Sequence, residues 1–449
     1  MVQAANVEEG RQTLSLAPSS LVKRSLQWAL PATPEERVVA LWAFAYFFML
    51  LAGYYVLRPL RDQMGIAGGV KALPWMFIAT FVTLLVMQPM YGALVKKLPR
   101  RWFITIVYQF FVANLALFWL LLTLTVSTVI VARIFFVWVS VFNLFAVAVF
   151  WSLMADLFTS EQGKRLFGFI GAGGTAGGLL GPVITIGSSA RLGPTNLLLV
   201  AIVFLELAVF CVYRLERCTA HGQGRQRDAG RIGGSVFSGF LMLVRSPYLL
   251  GAAAWVSLLS FGATILYLEQ AQVVSASVHG AGAQTRVFAS IDLAVGLLTL
   301  ATQVCATGQF MKRFGTGASA AALPAVYIAG FAALALAPGL AVVFVFQVAQ
   351  RWMNFAIANP ARQVLFTVVG RDEKYKAKNM IDVVVFRGSD ALYASVFDGL
   401  QALGLKIGGV ALCALPAALG WLVLSTHLGR TQERRAIDMG AMATQPESA

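Results

Sequence analysis

Tyr54, Arg58, Arg61 and Asp62 stand at i, i+4, i+7 and i+8 in the segment GYYVLRPLRDQMG, residues 53–65. That spacing sets all four on one face of a helix. Arginine keeps its charge and presents a planar fork that binds carboxylate or phosphate through paired hydrogen bonds. Asp62 alone cannot neutralise both Arg58 and Arg61, so the face has a surplus of positive charge. The chemistry on offer is recognition of an anion, with Tyr54 available to stack on a flat ring. More ionisable groups interrupt apolar sequence further on: Glu269 in ILYLEQAQ, Asp292 in FASIDLAVG, and Asp382, Arg387, Asp390 and Asp398 in IDVVVFRGSDALYASVFDG. Arg133, Arg351, Arg362 and Glu206 complete the set. A charge at hydrocarbon depth costs roughly 2.5–3.5 kcal/mol or more, so each of these needs a partner, water or a task. Two readings stand side by side. In one, Arg58 with Asp62 (i,i+4) and Arg387 with Asp390 (i,i+3) are pairs that hold helices together. In the other, Arg58, Arg61 and Arg387 bind an anionic substrate, while Asp62, Asp292, Asp382 and Asp390 balance charge or couple transport.

The elements that position these residues are long and apolar. The 449 residues are 58% hydrophobic and only 12% charged, far below the quarter typical of soluble domains. Apolar runs of about 20 residues, each enough to cross ~30 Å of hydrocarbon, recur near 38–58, 73–95, 102–122, 127–155, 166–187, 195–213, 248–270, 286–307, 318–337, 339–360, 379–402 and 407–426. They do not alternate as the strands of a membrane barrel would. The expected fold is therefore an all-α membrane protein of twelve spans.

With an even number of spans, both termini lie on one side. Twenty-five of the 35 lysines and arginines fall in the tails and the loops of that side, which places the termini in the cytoplasm by the positive-inside rule. The net charge of +15 is then a record of topology, and no nucleic-acid partner is expected. Residues 20–31, SLVKRSLQWALP, read as a short amphipathic helix on the cytoplasmic face. Cys218 and His221 are two ligands, too few for a zinc centre, and no metal or cofactor is expected. No Walker motif is present: the glycines of GFIGAGGTAGGLLGP, residues 168–182, lack the G-K-[ST] and the strand-to-helix setting that a phosphate loop requires. Inside a span they serve close helix packing instead, and no enzymatic activity is expected.

The longest polar stretch, RLERCTAHGQGRQRDAGRIGGS, is central, with six spans on either side. The halves echo one another: GALVKKLPRRW begins at Gly92 and GQFMKRFGTG at Gly308, 216 residues on, and Arg133 has its counterpart 218 residues on at Arg351. The expected organisation is an N-terminal segment (1–36), a six-helix bundle (37–213), a cytoplasmic linker (214–247), a second six-helix bundle (248–428) and a cytoplasmic tail (429–449). A duplicated 6+6 bundle is the architecture of major facilitator transporters. GALVKKLPRRWF resembles a degenerate form of that superfamily's signature between its second and third helices, and Gly177-x-x-x-Gly181-Pro182 resembles its fifth-helix exchanger motif.

Four segments resemble one family more closely: YYVLRPLRDQMG, FWSLMADLFTSEQGKRLFGFIGAGG, ILYLEQAQ and KYKAKNMIDVVVFRGSDAL. They are similar to the nucleotide exchange transporters, the ATP:ADP antiporters of intracellular bacteria and plastids. In the family's first-helix motif, Arg-Asp-x-Lys-Asp, Arg58, Arg61 and Asp62 take the first, fourth and fifth places, with Pro59 at the second. Glu161 before the fifth helix and Glu269 in the seventh match family glutamates, and Arg387 is the basic residue nearest the family's eleventh-helix lysine. The resemblance implies a facilitator-like fold in a bacterial inner membrane and a nucleotide as substrate. Its phosphates would be held by Arg58, Arg61 and Arg387, with Glu269 across the cavity from them. Conformational roles fall to Glu161, Gly177, Gly181 and Pro182. The expectation is alternating-access exchange of a nucleotide. The alternatives are a facilitator for another organic anion, with protons coupled through Glu269, Asp292 or Asp382, and a non-transporting membrane scaffold or sensor. Oligomeric state is left open.

Overall fold

The computed structural model describes residues 33–97, 100–220, 243–369, 377–378 and 380–443. The amphipathic segment at 20–31 and His221 lie outside them. Helix α1 spans Pro34–Ala67. A capping box starts it: the Thr33 hydroxyl accepts from the Glu36 amide at 3.3 Å, and the Glu36 carboxylate accepts from the Thr33 amide at 3.0 Å. Pro34 at the first helical position adds a preset φ. Pro59 sits inside α1 without ending it, so the kink that its position suggests does not break the helix.

A single 3-10 turn (Val70–Ala72) leads into α2 (Leu73–Lys97), followed by α3 (Arg100–Thr123) and α4 (Thr128–Leu157). The next helical stretch, Ser160–Ala220, is broken at Gly193, whose φ of 75° suits a residue without Cβ. It separates α5 (160–192) from α6 (194–220), which form a hairpin on α1: Gly53 meets Phe204 of α6, while Tyr55, half a turn on, meets Gly181 of α5. Helix α6 runs on through Ala220, past residue 213 where the apolar sequence ends. The second half holds α7 (Pro247–Ser277), α8 (Ala281–Cys305) and α9 (Thr307–Leu336), the last interrupted at Gly315. Then comes α10, a continuous span of Leu340–Val368 that passes through a π-helical turn at Asn354–Ala358. Helix α11 opens with a second π-turn, Ile381–Val385, and continues as Phe386–Ala402; α12 covers Ile407–Ala443.

Among the described residues, ten helical stretches are long and apolar enough to cross a membrane. The break at Gly193 divides one of these stretches into two helices, and α11, shorter and with four charged residues, is not among the ten. The result is the expected all-α membrane fold of twelve helices. The first six helices gather around a core that includes Tyr46, Phe135, Phe142 and Phe150. The last six pack around Trp255, Tyr327, Phe331 and Trp421. The second core also takes in Ile66, Leu73, Met76 and Phe136 from the first half, so the halves are joined at the membrane side opposite the termini.

Close packing of α5 on α1 depends on a row of glycines, Gly173, Gly177 and Gly181, whose added Cβ atoms would each run into an α1 carbonyl. A Cβ on Gly177 would collide with the Phe48 carbonyl, and one on Gly181 would lie 2.8 Å from the Ala52 carbonyl. Small residues four apart therefore bring two backbones together, as helices in lipid require.

Candidate functional site

A cavity of about 550 Å³ opens between the halves, walled by α1 and α5 on one side and α8 and α10 on the other. It runs from Asp292, midway along α8, to Gln363 near the end of α10, towards the side on which the termini lie. Its opposite end is closed by contacts between halves. The Tyr267 hydroxyl of α7 donates to Asp62 Oδ1 of α1 at 3.0 Å. The Tyr267 ring lies 5.5 Å from that of Phe77 and 6.4 Å from that of Phe136.

At the closed end, two arginines converge on one carboxylate. Arg351 Nη2 of α10 lies 2.6 Å from Asp292 Oδ1, and Arg58 Nη1 of α1 lies 3.6 Å from the same oxygen. The Asp292 side chain is only 1% exposed, so this is a buried triad with two positive charges to one negative. The arginines are not saturated: Arg58 Nε and Arg351 Nε are buried with no hydrogen-bond acceptor, and so is Arg362 Nε further along the cavity wall. Tyr55 and Phe47 supply aromatic surface, and Gln303, Asn359 and Gln363 supply amides. The π-turn of α10 shapes this wall. Carbonyls that its wider coil releases are taken up across the helix pair, Phe355 O accepting from Gln303 at 3.2 Å and Ala356 O from Thr307 at 3.0 Å.

The residues marked out by the sequence are distributed as follows. Arg58 reaches the cavity triad. Arg61 binds its own neighbour, Nε and Nη2 donating to Asp62 Oδ1 at 3.0 and 2.6 Å, and lies over the Phe136 ring at 5.3 Å. The i,i+4 pair of Arg58 with Asp62 is thus replaced by a neighbouring pair and a long-range one. Tyr54 is buried, edge-on to Tyr55 at 5.3 Å. Arg387 and Asp390 form the i,i+3 pair read from spacing, 3.2 Å apart, and Asp390 also accepts from Ser260 at 2.5 Å and Thr264 at 3.3 Å. Asp382 pairs with Arg362 at 3.2 Å. Glu161 is exposed in the first turn of α5, and Pro182 lies within α5 just beyond Gly181.

Glu269 is not brought to the arginines. It is wholly buried, and neither carboxylate oxygen has a hydrogen-bond partner. It follows Gly262, which packs on the Tyr327 ring, by two helical turns, so the two share one face of α7, and its neighbour Gln270 accepts from Gln347 of α10 at 2.6 Å. Across from Arg58 stands Asp292 instead. In the sequence Arg351 and Arg362 stand out as ions within spans, and nothing local to them points to the site. Arg351, Asn359 and Gln363, with Phe355 between the first two, repeat at four-residue spacing along α10, a stripe that marks one helix face.

The folded chain is that of a membrane transporter: the described residues form twelve helices in two halves, with a cavity between them that holds buried charged side chains. It belongs to the Major Facilitator Superfamily, whose sequence profile matches residues 75–371. Solved structures similar to it include a bacterial homologue of the iron transporter ferroportin in an inward-facing state. That match has TM-score 0.64 and 11% identity over 88% of this chain and 98% of that one. A bacterial homologue of the lysosomal transporter Spinster is similar with TM-score 0.54 and 14% identity, over 91% and 98%. A mutant of the nucleoside transporter NupG matches with TM-score 0.57 and 15% identity, over 88% and 99%. At these identities the likeness is one of fold. Comparison with curated proteins finds no match.

Proposed function

We propose that this chain is a secondary transporter of an anionic solute, working by alternating access, with exchange of a nucleotide as the leading form of that activity. The observation that carries the reading is the triad at the closed end of the cavity. Arg58 and Arg351 come from opposite halves and share one buried carboxylate. An anion entering the cavity would supply the missing negative charge and the acceptors that the buried Nε groups lack. Because the two guanidinium groups belong to different halves, binding and the relative position of the halves are coupled directly. The resemblance of YYVLRPLRDQMG and KYKAKNMIDVVVFRGSDAL to nucleotide exchangers supports the choice of substrate. The aromatic and amide wall of Phe47, Tyr55, Gln303 and Asn359 suits a solute with a flat polar ring.

Basic residues concentrated on the side of the termini support a cytoplasmic placement of both ends, and with it an inward-open cavity in a bacterial inner membrane. Transport driven by exchange requires no bond chemistry, so the protein acts without catalysing a reaction. A second reading rests on Glu269, since a carboxyl group held without counter-ion or hydrogen bond is a group through which a proton gradient can be coupled to another organic anion.

Uptake by purified protein in liposomes decides between them. Labelled ATP should enter only when ATP or ADP is loaded inside, and collapsing the proton gradient should leave the rate unchanged. Failure of every nucleotide to move, with another organic anion moving under a proton gradient, would replace the first reading by the second.

A further inference from the structure

A second cavity, larger than the one between the halves, faces away from the transport path. It is a groove of about 960 Å³ on the outer surface of the first half, between α2, α3 and α4. Its walls are apolar, with Trp75 and Met76 from α2, Phe110 from α3 and Trp138 and Phe145 from α4. Along α2 it extends from Ala72 to Met87, about 22 Å at the rise of an α-helix, longer than the ~15 Å of one leaflet's hydrocarbon. Trp75 stands 67% exposed at one end, the place where amphipathic rings meet the headgroup region.

The same end holds a cation. Arg133 lines the groove and donates from Nε to the Gly68 carbonyl at 2.7 Å. That bond fixes the guanidinium beside the loop that follows α1, with its two Nη groups unclaimed: among the described residues no carboxylate lies within ion-pair distance of them. Lys71 is exposed in the adjoining turn. An uncompensated guanidinium at the interface end of an apolar groove is complementary to one class of molecule, a lipid with an anionic phosphate head and long acyl chains.

We infer that this groove is a binding site for an anionic phospholipid, with its phosphate on Arg133 and an acyl chain laid along α2 and α4. The site lies wholly in the first half, so the lipid would travel with that half as the two move, and it is independent of the transported solute.

Native mass spectrometry of the full chain tests this, after delipidation and incubation with an equimolar mixture of phosphatidylglycerol and phosphatidylcholine of matched acyl chains. Wild type should retain phosphatidylglycerol roughly fivefold over phosphatidylcholine, the preference one basic group near anionic lipid confers. Arg133→Lys should keep that preference and Arg133→Gln should bring the ratio near one. Ala79 is exposed on the groove floor, so Ala79→Trp fills the groove without disturbing the core and should reduce retention of both lipids. That variant decides the matter if Arg133→Gln fails to fold. A wild-type ratio near one, or unchanged retention in Ala79→Trp, overturns the site. Preference abolished by inorganic phosphate with retention in Ala79→Trp intact assigns a bare anion to Arg133 and overturns the lipid.

Discussion

Of the arginine–aspartate clusters within the helices, those around Asp390 and Asp292 are separated by their hydrogen bonding. Around Asp390, Arg387 supplies one charge, while Ser260 and Thr264 supply hydroxyl donors at 2.5 and 3.3 Å. Charges balance and every partner belongs to the second half. Around Asp292, two guanidinium groups from different halves share one carboxylate, and no hydroxyl or amide completes the arrangement. Residue type does not distinguish these clusters; satisfaction does. A buried ion pair with all its partners holds helices in place, and breaking it from one side leaves an uncompensated charge. A buried cluster with surplus charge and empty donors is poised to take a ligand, and its position between halves lets the ligand act on both.

The largest expected effect tests that contrast at the unsatisfied cluster. Arg351→Gln keeps a long polar side chain but removes the surplus charge, leaving Arg58 and Asp292 as a neutral pair. Transport in liposomes should fall by on the order of 100-fold, the loss of one or two charge-assisted hydrogen bonds to an anion at ~1.5–3 kcal/mol each. The melting temperature should stay near that of wild type. Normal transport of the anion by Arg351→Gln would mean that the triad is structural and that the contrast with Asp390 has been misdrawn.

The opposite outcome is expected at the satisfied cluster. Asp390→Ala leaves Arg387 without its carboxylate and Ser260 without an acceptor. Arg387 is a quarter exposed, which softens the penalty, so the expected loss is about 1–3 kcal/mol of stability, seen as a melting temperature lower by a few degrees. Substrate affinity, read by ligand-induced thermal shift, should change less than threefold. A large loss of affinity with stability unchanged would move Arg387 into the binding site, where the resemblance to nucleotide exchangers places it.

What could be read from the sequence follows from the range of each signal. The twelve apolar runs specify the helices because each is a local property, and lipid leaves the backbone no other way to satisfy its hydrogen bonds. The pair Arg387–Asp390 was legible for the same reason, as both residues sit on one helix. Arg58–Asp292 was not, because 234 residues separate the partners and no spacing rule reaches from α1 to α8. Within α1, i,i+4 geometry offered Asp62 to Arg58, yet Asp62 is held by Arg61 and by Tyr267 from the other half. Glu269 shows the converse. Its helix was read correctly, but α7 presents one face to α1 and another to the interior of the second half, and the sequence does not say which face is which. The π-turns at Asn354–Ala358 and Ile381–Val385 were also beyond reach, since one extra residue in a turn leaves no mark on composition.

The smallest effect refines the contrast by asking what holds the far end of the cavity closed. Tyr267 donates one hydrogen bond to Asp62 across the halves, and its ring packs against Phe77 and Phe136. Tyr267→Phe keeps the ring and removes the hydroxyl, which isolates the polar link from the apolar one. A hydrogen bond to a charged group of this kind contributes about 1.5–3 kcal/mol at most, and one that water can replace on opening contributes less. The expected shift is ~1 kcal/mol towards the state open on the opposite side, roughly a fivefold change in that equilibrium. A Gln303→Cys substitution on the cavity wall reports it, since labelling of that thiol from the side of the termini should slow by the fraction of molecules that leave the state open on that side, while stability stays constant. If labelling does not change, closure rests on the apolar contacts between the halves and on the Arg58–Asp292 link. The ion cluster would then be both the ligand site and the main polar tie between the halves, and an anion that competes for its arginines would loosen the closed end directly.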